Sequence, residues 1–453
     1  MKHERRLHST WWILWITTHI IFSFIVIFFT PPVVSLHLGP EIFTTTLVAN
    51  TVNVTVVHID VERNILYFGA GAEYGGYVGR VVLGVDCGPT PLTFQIVAGV
   101  QGKLGSQDGV GSNALFGDVH GMDGTADGKT LYCSDHVNGL IRRITISRAG
   151  GGVGATFNVT TIAGSTPGYG DGSGRQALLR PIGVALNPAE TALYIGDYGN
   201  SAIRRINLST LLVETVVKIG ISLPTFLRVS PDGAFVFFAD SGNNRIARVA
   251  SAPGSTLVNI AGVVSNGQTV VRDGVDGSSA RFWEPRGLIF SPDKSILFVG
   301  NCFGNVIQAV RMDSGDYATV TIAGNATAGF TQSSASGSRA FMSIPVATFS
   351  GIQGLTLWQP PMQPVLSKNP SWVVIAGDFE NGAIRCVSGP GLSHPFPPMA
   401  FKAQGTVRSV VSGSSLGAIS DAYIHPVTGA LYTNDGLTMV VRYDLDNRSG
   451  EFL

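Results

Sequence analysis

Residues 161–206 read TIAGSTPGYGDGSGRQALLRPIGVALNPAETALYIGDYGNSAIRRI, and this stretch decides the fold of the chain. It contains three short apolar runs, Val184–Leu186, Leu193–Ile195 and Ile203–Ile206, separated by turns built from Gly, Asn, Asp and Pro. Such runs between such breakers are typical of short antiparallel strands. They leave no space for a helix of about ten residues or more. The stretch therefore predicts a small β-sheet module.

The same order of parts recurs along the chain. The template has an apolar segment ending in Ala-Gly, an Asp-Gly loop, a Pro-x-Gly position, a run ending in Asp and a run carrying Arg, and the other copies keep several of these parts. The runs ending in Asp, Asn or Ala define seven units: LYFGA (66–70), LYCSD (131–135), LYIGD (193–197), FFAD (237–240), LFVGN (297–301), VVIAGD (373–378) and LYTND (431–435). Repetition at this period indicates modules that shield their apolar faces against their neighbours.

This pattern resembles the NHL repeat over roughly residues 43–445, most clearly in the second, third and fifth units. The resemblance implies an all-β propeller of four-stranded blades. In each blade, strand a follows Pro-x-Gly, strand b is the run ending in Asp or Asn, strand c carries Arg, and strand d ends in Ala-Gly. The unit count predicts seven blades, and six, the number common among NHL propellers, is the alternative.

The two ends of the repeat region are both incomplete. Phe43–Asn50 looks like a lone strand d, and the seventh unit stops after its third strand, Val440–Leu445. We therefore expect the N-terminal strand to complete the seventh blade, closing the ring and pairing exposed strand edges. Antiparallel order places the b–c turns and d–a loops on one face, called the upper face here, and the a–b and c–d connections on the lower face.

The N-terminal segment is directed to a membrane. A run of 20 residues at 11–30 contains no formal charge apart from His19, which is long enough to span a bilayer as a helix. Lys2, Arg5 and Arg6 precede it, so we expect a cytoplasmic N-terminus and an extracellular or lumenal propeller. A cleaved signal peptide, with a site near Val33–Ser35 and a secreted product, is the alternative. The expected organisation is a cytoplasmic segment (1–10), an anchor or signal peptide (11–30), a linker (31–42) and the propeller (43–453).

Export would make the chain a candidate glycoprotein. The Asn-x-Ser/Thr pattern, the acceptor for N-glycosylation, occurs at Asn53, Asn158, Asn207, Asn325 and Asn447.

The chain has a balanced charge, since Lys+Arg and Asp+Glu both total 30, and charged residues are 13% of the chain. No global positive field attracts nucleic acid, so we expect no nucleic-acid partner.

Motifs that carry chemistry are scarce. The sequence contains no Gly-x-Ser-x-Gly nucleophile elbow and no Gly-x-x-x-x-Gly-Lys phosphate loop. The Asp and Asn residues that end strand b have two interpretations. They can accept backbone N–H bonds in the following turn, or they can form a ring of metal-binding carboxylates. We favour the first, because calcium needs six to eight converging oxygens and single residues spread around a ring do not converge.

Three residues are candidates for lining the central channel: His120, Arg286 and Glu284. Peptidyl-amidating lyases, which are NHL relatives, hold a central zinc with inner-strand histidines. His120 occupies a comparable place, but the equivalent positions here are Ile182 and Arg286, so that ligand set does not carry over. We therefore assign no catalytic residue, no metal and no cofactor. Arg286, beside Glu284 at the start of a strand a, is the best candidate for a ligand-contacting residue.

The sixth unit departs from the repeat through two proline-rich insertions, at 358–372 and 389–405. Strand order places both on the lower face, which we expect to face the membrane. Long loops on a rigid scaffold are often functional. Trp358, Trp372 and Phe396 could anchor a partner there, or the two loops could simply pack on each other.

The four cysteines invite disulfide pairing in an exported protein. Cys133 and Cys302 fall toward the upper face, and Cys87 and Cys386 toward the lower face of units one and six. In a seven-bladed ring no same-face pair occupies adjacent blades, so we expect free, mostly buried thiols.

Three functions are compatible with these features. The favoured one is a non-enzymatic, membrane-anchored module that binds a protein or glycan outside the cytosol. The second is a propeller hydrolase or lyase with a metal in the channel. The third is a sensor that reports across the membrane through a partner.

Overall fold

The computed structural model describes residues 43–49, 51, 53–71, 75–84, 91–147, 154–264, 270–324, 326, 328, 348–359 and 373–388, and the backbone of strands at 421–424, 431–434, 440–444 and 449–452. Within these residues every regular element is a β-strand or a short 3-10 turn. No helix in the described part of the chain has the length and apolar character needed to cross a bilayer. The expected anchor at 11–30 lies outside the described residues.

Six sheets form the blades of a β-propeller, each with the four strands expected from the repeat, and blades 2 and 3 have an additional two-residue strand at the outer edge. The described chain opens with β1 (Phe43–Val48). Blade 1 contains β2 (Val54–Asp60), β3 (Ile65–Ala70), β4 (Tyr77–Val82) and β5 (Gln95–Gly99). Blade 2 contains β6 (Gly109–Val110), β7 (Val119–Gly124), β8 (Thr130–Asp135), β9 (Leu140–Ile146) and β10 (Phe157–Ala163). Blade 3 contains β11 (Gly172–Ser173), β12 (Val184–Leu186), β13 (Ala192–Asp197), β14 (Ala202–Asn207) and β15 (Leu212–Val217).

The second half of the ring follows the same plan. Blade 4 contains β16 (Pro224–Val229), β17 (Phe235–Asp240), β18 (Arg245–Ala250) and β19 (Val258–Ala261). Blade 5 contains β20 (Pro285–Phe290), β21 (Ile296–Asn301), β22 (Val306–Arg311) and β23 (Thr319–Gly324). Blade 6 contains β24 (Ile352–Trp358), β25 (Val373–Asp378) and β26 (Ala383–Ser388), completed by β1. Single 3-10 turns lie at Gly111–Asn113, Gly174–Gln176, Tyr198–Asn200 and Ser241–Asn243.

The ring closes after six blades, so the expected count of seven is wrong and the alternative of six is confirmed. β1 pairs antiparallel with β26 of the sixth unit, with Thr44 opposite Val387 and Thr46 opposite Arg385. The inner strand β24 packs against β2, which joins the last blade to the first. The N-terminal strand therefore does close the ring, but by completing blade 6 and not the seventh unit.

The seventh unit forms a separate four-stranded sheet of β27 (Asp421–Ile424), β28 (Leu431–Asn434), β29 (Val440–Asp444) and β30 (Ser449–Phe452). It supplies its own fourth strand, β30, whose sequence SGEF has little of the β-branched character that marks strands. The sequence therefore suggested a deficit in this unit that the structure does not have.

Apolar side chains between neighbouring blades form the core. There are six clusters, one at each blade interface, including the interface between blades 6 and 1 that contains Val54, Val57 and Trp358. Each sheet is therefore shielded on both faces by its neighbours, which is the packing that repeat architectures need.

Glycines allow the inner strands to approach one another around the axis. A Cβ at Gly196 would lie 2.1 Å from the carbonyl oxygen of Thr225 in the next blade, and one at Gly183 would lie 2.4 Å from the same atom. Any side chain at these two positions would push blades 3 and 4 apart. The Gly of Pro-x-Gly is thus a packing requirement of the ring.

The cysteines differ from expectation in one respect. Cys133 and Cys302 are free and buried, as expected. Cys386 is disulfide-bonded, so the expectation of a free thiol there is wrong. That expectation rested on seven blades, whereas in a ring of six the sixth blade adjoins the first. Cys87 lies outside the described residues.

Candidate functional site

The residues that end strand b have a structural role. In three blades the Asp ending strand b forms an ion pair with the Arg seven positions later, and both side chains are fully buried: Asp135–Arg142 at 2.9 Å, Asp197–Arg204 at 2.7 Å and Asp378–Arg385 at 2.9 Å. The carboxylate also accepts a backbone N–H bond, but the donor lies in the preceding d–a loop and not in the following turn. Arg180 N–H, for example, donates to Asp197 Oδ1 at 2.7 Å.

Apolar side chains line the middle of the central channel. Phe226 of blade 4 belongs to the same buried cluster as Val56, Val119 and Ile182 of blades 1, 2 and 3, and it is 3% exposed. We call the part of the channel on the side of the b–c turns the upper compartment and the part on the side of the a–b connections the lower compartment.

The lower compartment is closed by charged side chains. Arg228 of blade 4 donates from Nη2 to the carbonyl oxygen of Leu355 in blade 6 at 3.2 Å. His58 Nδ1 lies 3.3 Å from Asp123 Oδ1. Burial raises the pKa of Asp123, but the His58 hydrogen bond and the His58 and Arg228 charges lower it by more, so the net pKa is lowered. Because Arg228 bridges two blades, we interpret the lower compartment as a structural plug.

The upper opening carries a cluster of polar side chains that we call the upper cup, defined by Asp118, His120, His136, Tyr198, Glu284, Arg286 and Gln353. Its blade 2 side begins with His120 Nε2, 2.8 Å from Asp118 Oδ2. The His120 ring contacts the His136 ring edge-on at 5.1 Å, and His136 contacts Tyr198 of blade 3 at 6.2 Å. The rings of His120, His136 and Tyr198 thus form one side of the cup.

The opposite side comes from blades 5 and 6. Arg286 of strand β20 forms an ion pair with Glu284, and its Nη1 donates to Gln353 Oε1 of blade 6 at 2.7 Å. Glu284 adopts a left-handed backbone conformation, with φ of 48°. Asn53, Leu223 and Gly351, at the corresponding positions before strand a of blades 1, 4 and 6, also have positive φ. The conformation therefore belongs to the repeat and is not special to Glu284.

The electrostatics of the cup keep His136 neutral. Burial and the neighbouring His120 lower the pKa of His136, and its Nδ1 lies 2.9 Å from the carbonyl oxygen of Pro181. A neutral ring that donates from Nδ1 leaves Nε2 as an acceptor. Burial lowers the pKa of Arg286, but Cys302, Glu284 and Tyr198 raise it by more, so Arg286 stays charged. Among the described residues no group of three or more His, Cys, Asp or Glu could hold a metal ion.

The three predicted channel residues therefore meet in one place. His120, Arg286 and Glu284 all lie at the upper opening, and their role in binding stays a prediction. Sequence reasoning missed Asp118, His136, Tyr198 and Gln353. Gln353 occupies the same repeat position as His120 and Arg286, so alignment of the repeats could have identified it. Asp118 occupies the position of Glu284, and His136 and Tyr198 follow strand b of blades 2 and 3.

Of the three residues predicted to anchor a partner, the structure describes Trp358. Trp358 is fully buried between blades 6 and 1, and its indole N–H donates to Asn64 Oδ1 at 3.0 Å. An indole so enclosed is core and cannot anchor a partner, so that prediction is wrong for Trp358. Trp372 and Phe396 lie outside the described residues, as do all but the first two residues of the 358–372 insertion and the whole of 389–405.

Three of the glycosylation candidates are described. Asn158 is exposed on the outer strand β10. Asn207 ends β14, and its Oδ1 accepts bonds from Ser209 and Thr210. Asn53 precedes β2, and Thr55 of its acceptor pattern is fully buried. Asn325 and Asn447 lie outside the described residues. Of the three, Asn158 offers the most accessible amide.

Comparison with known proteins places the fold. No family model matches the chain, and no curated protein matches it either. Among solved structures, a protein of unknown function from Bacteroides thetaiotaomicron has a TM-score of 0.55 and 15% identity, covering 77% of this chain and 76% of its own. Auxiliary nutrient binding proteins from B. thetaiotaomicron (TM-score 0.53, 14% identity, 78% and 77% covered) and Bacteroides ovatus (TM-score 0.52, 15% identity, 77% of each covered) are similar. At these identities the likeness shows the fold alone: the chain is a six-bladed β-propeller.

Proposed function

We propose that this chain is a non-enzymatic binding module, an NHL-like propeller that binds a protein or glycan outside the cytosol. The observation that carries the proposal is the upper cup. It gathers polar side chains from blades 2, 3, 5 and 6 at one opening of the channel. A few convergent polar groups on a rigid scaffold are typical of ligand sites. The printed names of two structural neighbours, auxiliary nutrient binding proteins, are compatible with such a role.

The apolar surface points to the same face. Large apolar side chains that are exposed number fourteen in the described residues, and nine belong to d–a loops or b–c turns: Leu104, Val137, Tyr169, Ile219, Leu223, Val264, Val270, Val275 and Phe303. Exposed apolar side chains concentrated on one face are typical of interaction surfaces. The upper face is therefore the proposed recognition face.

The experiment compares the two faces. Purified full-length chain is tested for binding to arrays of glycans and of extracellular proteins, alongside Phe303→Glu on the upper face and Val61→Glu on the lower face. Both positions are about half exposed, at 50% and 48%, so the substitutions are matched. We expect Phe303→Glu to weaken binding and Val61→Glu to leave it unchanged. The reverse pattern would reject the upper face as the recognition face.

We further propose that the propeller is held at a membrane by residues 11–30, with secretion after signal cleavage as the alternative. The apolar run and its basic flank support this. Alkaline carbonate extraction of membranes from expressing cells separates the two: an anchored chain stays in the pellet and a secreted chain appears in the medium. A chain found free in the cytosol would contradict both.

An enzyme is the second candidate, because Asp118 and His120 form a carboxylate–imidazole pair of the kind that general bases use. Metal content of the purified chain and turnover of any ligand that binds would test it. A bound metal in stoichiometric amount, together with turnover that Phe303→Glu and His120→Gln both abolish, would favour the enzyme.

A further inference from the structure

Charged groups of both signs occur around the upper cup. Asp118 Oδ2 lies 2.8 Å from His120 Nε2 on blade 2, and Arg286 is paired with Glu284 on blade 5. Arg180 and Glu380, which act on His136 and Cys302 respectively, add one charge of each sign at the edge of the cup. A site for phosphate or sulfate needs an uncompensated positive field, and a cation site needs converging carboxylates. Neither arrangement is present among the described cup residues.

Donors and acceptors, by contrast, are mixed across the cup. His136 offers a neutral acceptor at Nε2 because its Nδ1 is committed to Pro181. Arg286 has five N–H donors, and three hydrogen bonds to Glu284 and Gln353 account for part of them. The Tyr198 hydroxyl can do both. A hydroxyl group also donates and accepts, so this alternation suits a ligand with several hydroxyls.

Two cup atoms have no protein partner. Asp118 Oδ1 and His120 Nδ1 are buried and make no hydrogen bond. The Asp118 residue is 8% exposed, so its carboxylate is largely withdrawn from solvent. Buried polar atoms are almost always paired, and an unpaired one needs an explanation. Asp118 Oδ1 lies against Gly71 of blade 1, where a Cβ would be 1.6 Å from this oxygen.

Flat rings surround these polar groups. Tyr198 is part of the cup, and on the upper face of blade 5 Trp283 and Phe303 form an edge-on pair at 6.2 Å. Phe303 is 50% exposed. Aromatic faces carry apolar area with partial negative charge, which complements the C–H face of a pyranose ring. The cup thus combines hydroxyl recognition with ring stacking.

We propose that the upper cup binds an uncharged, hydroxyl-rich group, the terminal sugar of a neutral glycan. This deepens the proposed function and rests on it. Tyr198 supplies the hydroxyl and the stacking face, while His136 and Arg286 supply an acceptor and donors from the two opposite sides of the cup.

The experiment measures affinity by calorimetry on the full-length chain. Neutral glucose, galactose and mannose oligosaccharides are compared with sulfated and uronic-acid oligosaccharides. Tyr198→Phe removes only the cup hydroxyl, and Tyr194→Phe is the matched control, because the Tyr194 hydroxyl bonds Ser251 away from the cup. We expect a neutral oligosaccharide to bind with an affinity that changes less than about twofold between low and high salt. Tyr198→Phe should weaken it about tenfold, and Tyr194→Phe should not.

Three results would overturn the proposal. They are a preference for sulfated or uronic ligands with binding that weakens in salt, equal effects of Tyr198→Phe and Tyr194→Phe, or conversion of the sugar during the measurement. Its failure is distinguishable from failure of the proposed function. A protein ligand that Phe303→Glu weakens, with no oligosaccharide bound, would leave the upper face as the recognition face and reject the sugar.

Discussion

Arg204 and Asp197 form an ion pair in which both side chains are fully buried, with Nη1 and Oδ2 2.7 Å apart. The same carboxylate accepts bonds from the backbone of Arg180 and the side chain of Asn200, and the guanidinium also bonds Asp171. One pair thus ties strand c to the b–c turn and to the d–a loop. This explains why the repeat carries Asp and Arg at a fixed spacing.

Breaking this pair should destabilise the propeller strongly. Asp197→Ala leaves the Arg204 charge buried without its main partner, and we expect the free energy of unfolding to fall by about 3–5 kcal/mol. Urea unfolding of the full-length chain measures it. The control is Glu62→Ala, whose side chain is 72% exposed, and which should change stability by about 0.5 kcal/mol or less. A loss at Asp197 no larger than the control would mean that the pair is not structural.

Blade 5 suggests a pair of substitutions that would restore part of the lost free energy of unfolding. There Asn301 and Gln308 replace the Asp and Arg and form a neutral bond of 3.1 Å in the same place. We expect the double variant Asp197→Asn, Arg204→Gln to be more stable than either single variant, because no unpaired charge remains buried. Additive losses in the double variant would contradict this interpretation. Urea unfolding of the two single variants and of the double variant measures this difference.

His136 should make stability depend on pH below neutrality. Burial and His120 lower its pKa in the folded state, so between about pH 6.5 and the folded pKa the unfolded chain binds the proton first. The contribution of neutral His136 to the free energy of unfolding is therefore fully present above about pH 6.5. It falls as pH decreases below this value, by at most about 1.4 kcal/mol per pH unit. Unfolding at several pH values in this range, for the natural chain and His136→Gln, measures the slope. An unchanged slope in the variant would exclude His136 as its source.

The repeat made most of the fold predictable. Because the blades reuse one pattern of runs and breakers, strand order follows from a single template. The buried Asp–Arg ion pair was not predicted, because it joins residues whose side chains meet only once strands b and c are paired. The predicted number of blades was wrong because β1 lies far in sequence from the blade that it completes. β1 precedes blade 1 in the chain but completes blade 6, and the sequence does not state which incomplete unit it joins.

The candidate site was predictable only in part. Arg286 and Glu284 are two positions apart, so a local pattern identified them. Gln353 is 67 positions from Arg286, and His136 meets His120 through the geometry of the b–c turn. These contacts depend on how the blades pack around the axis, and the spacing of residues along the chain does not encode that packing. The sequence therefore indicated His120 on one side of the cup and Arg286 and Glu284 on the other, and it missed Asp118, His136, Tyr198 and Gln353.

Ring closure makes a direct prediction about the N-terminal strand. Deleting Phe43–Val48 removes the edge strand of blade 6 together with the buried side chains of Leu47 and Val48. At about 1.5–3 kcal/mol for each buried aliphatic side chain, we expect a loss of about 3–6 kcal/mol and a lower melting temperature. Deleting Ser449–Phe452 is the matched control, because β30 belongs to a separate sheet and should leave the main transition unchanged. Equal effects of the two deletions would contradict closure by β1.

The thiols provide an independent test of six blades. Cys133 and Cys302 are free and Cys386 is disulfide-bonded, so the chain, denatured without reductant, should titrate two thiols, and after reduction all four cysteines should react. In the native state neither free thiol should react quickly at pH 8, because burial raises the pKa of Cys133 to about 12 and that of Cys302 to about 11, and the thiolate is the nucleophile. Ellman titration of the native, denatured and reduced chain measures all three quantities. Four thiols in the denatured, unreduced chain would show that Cys386 is free. That outcome would favour the seven-bladed ring, in which the sixth and first units are not neighbours.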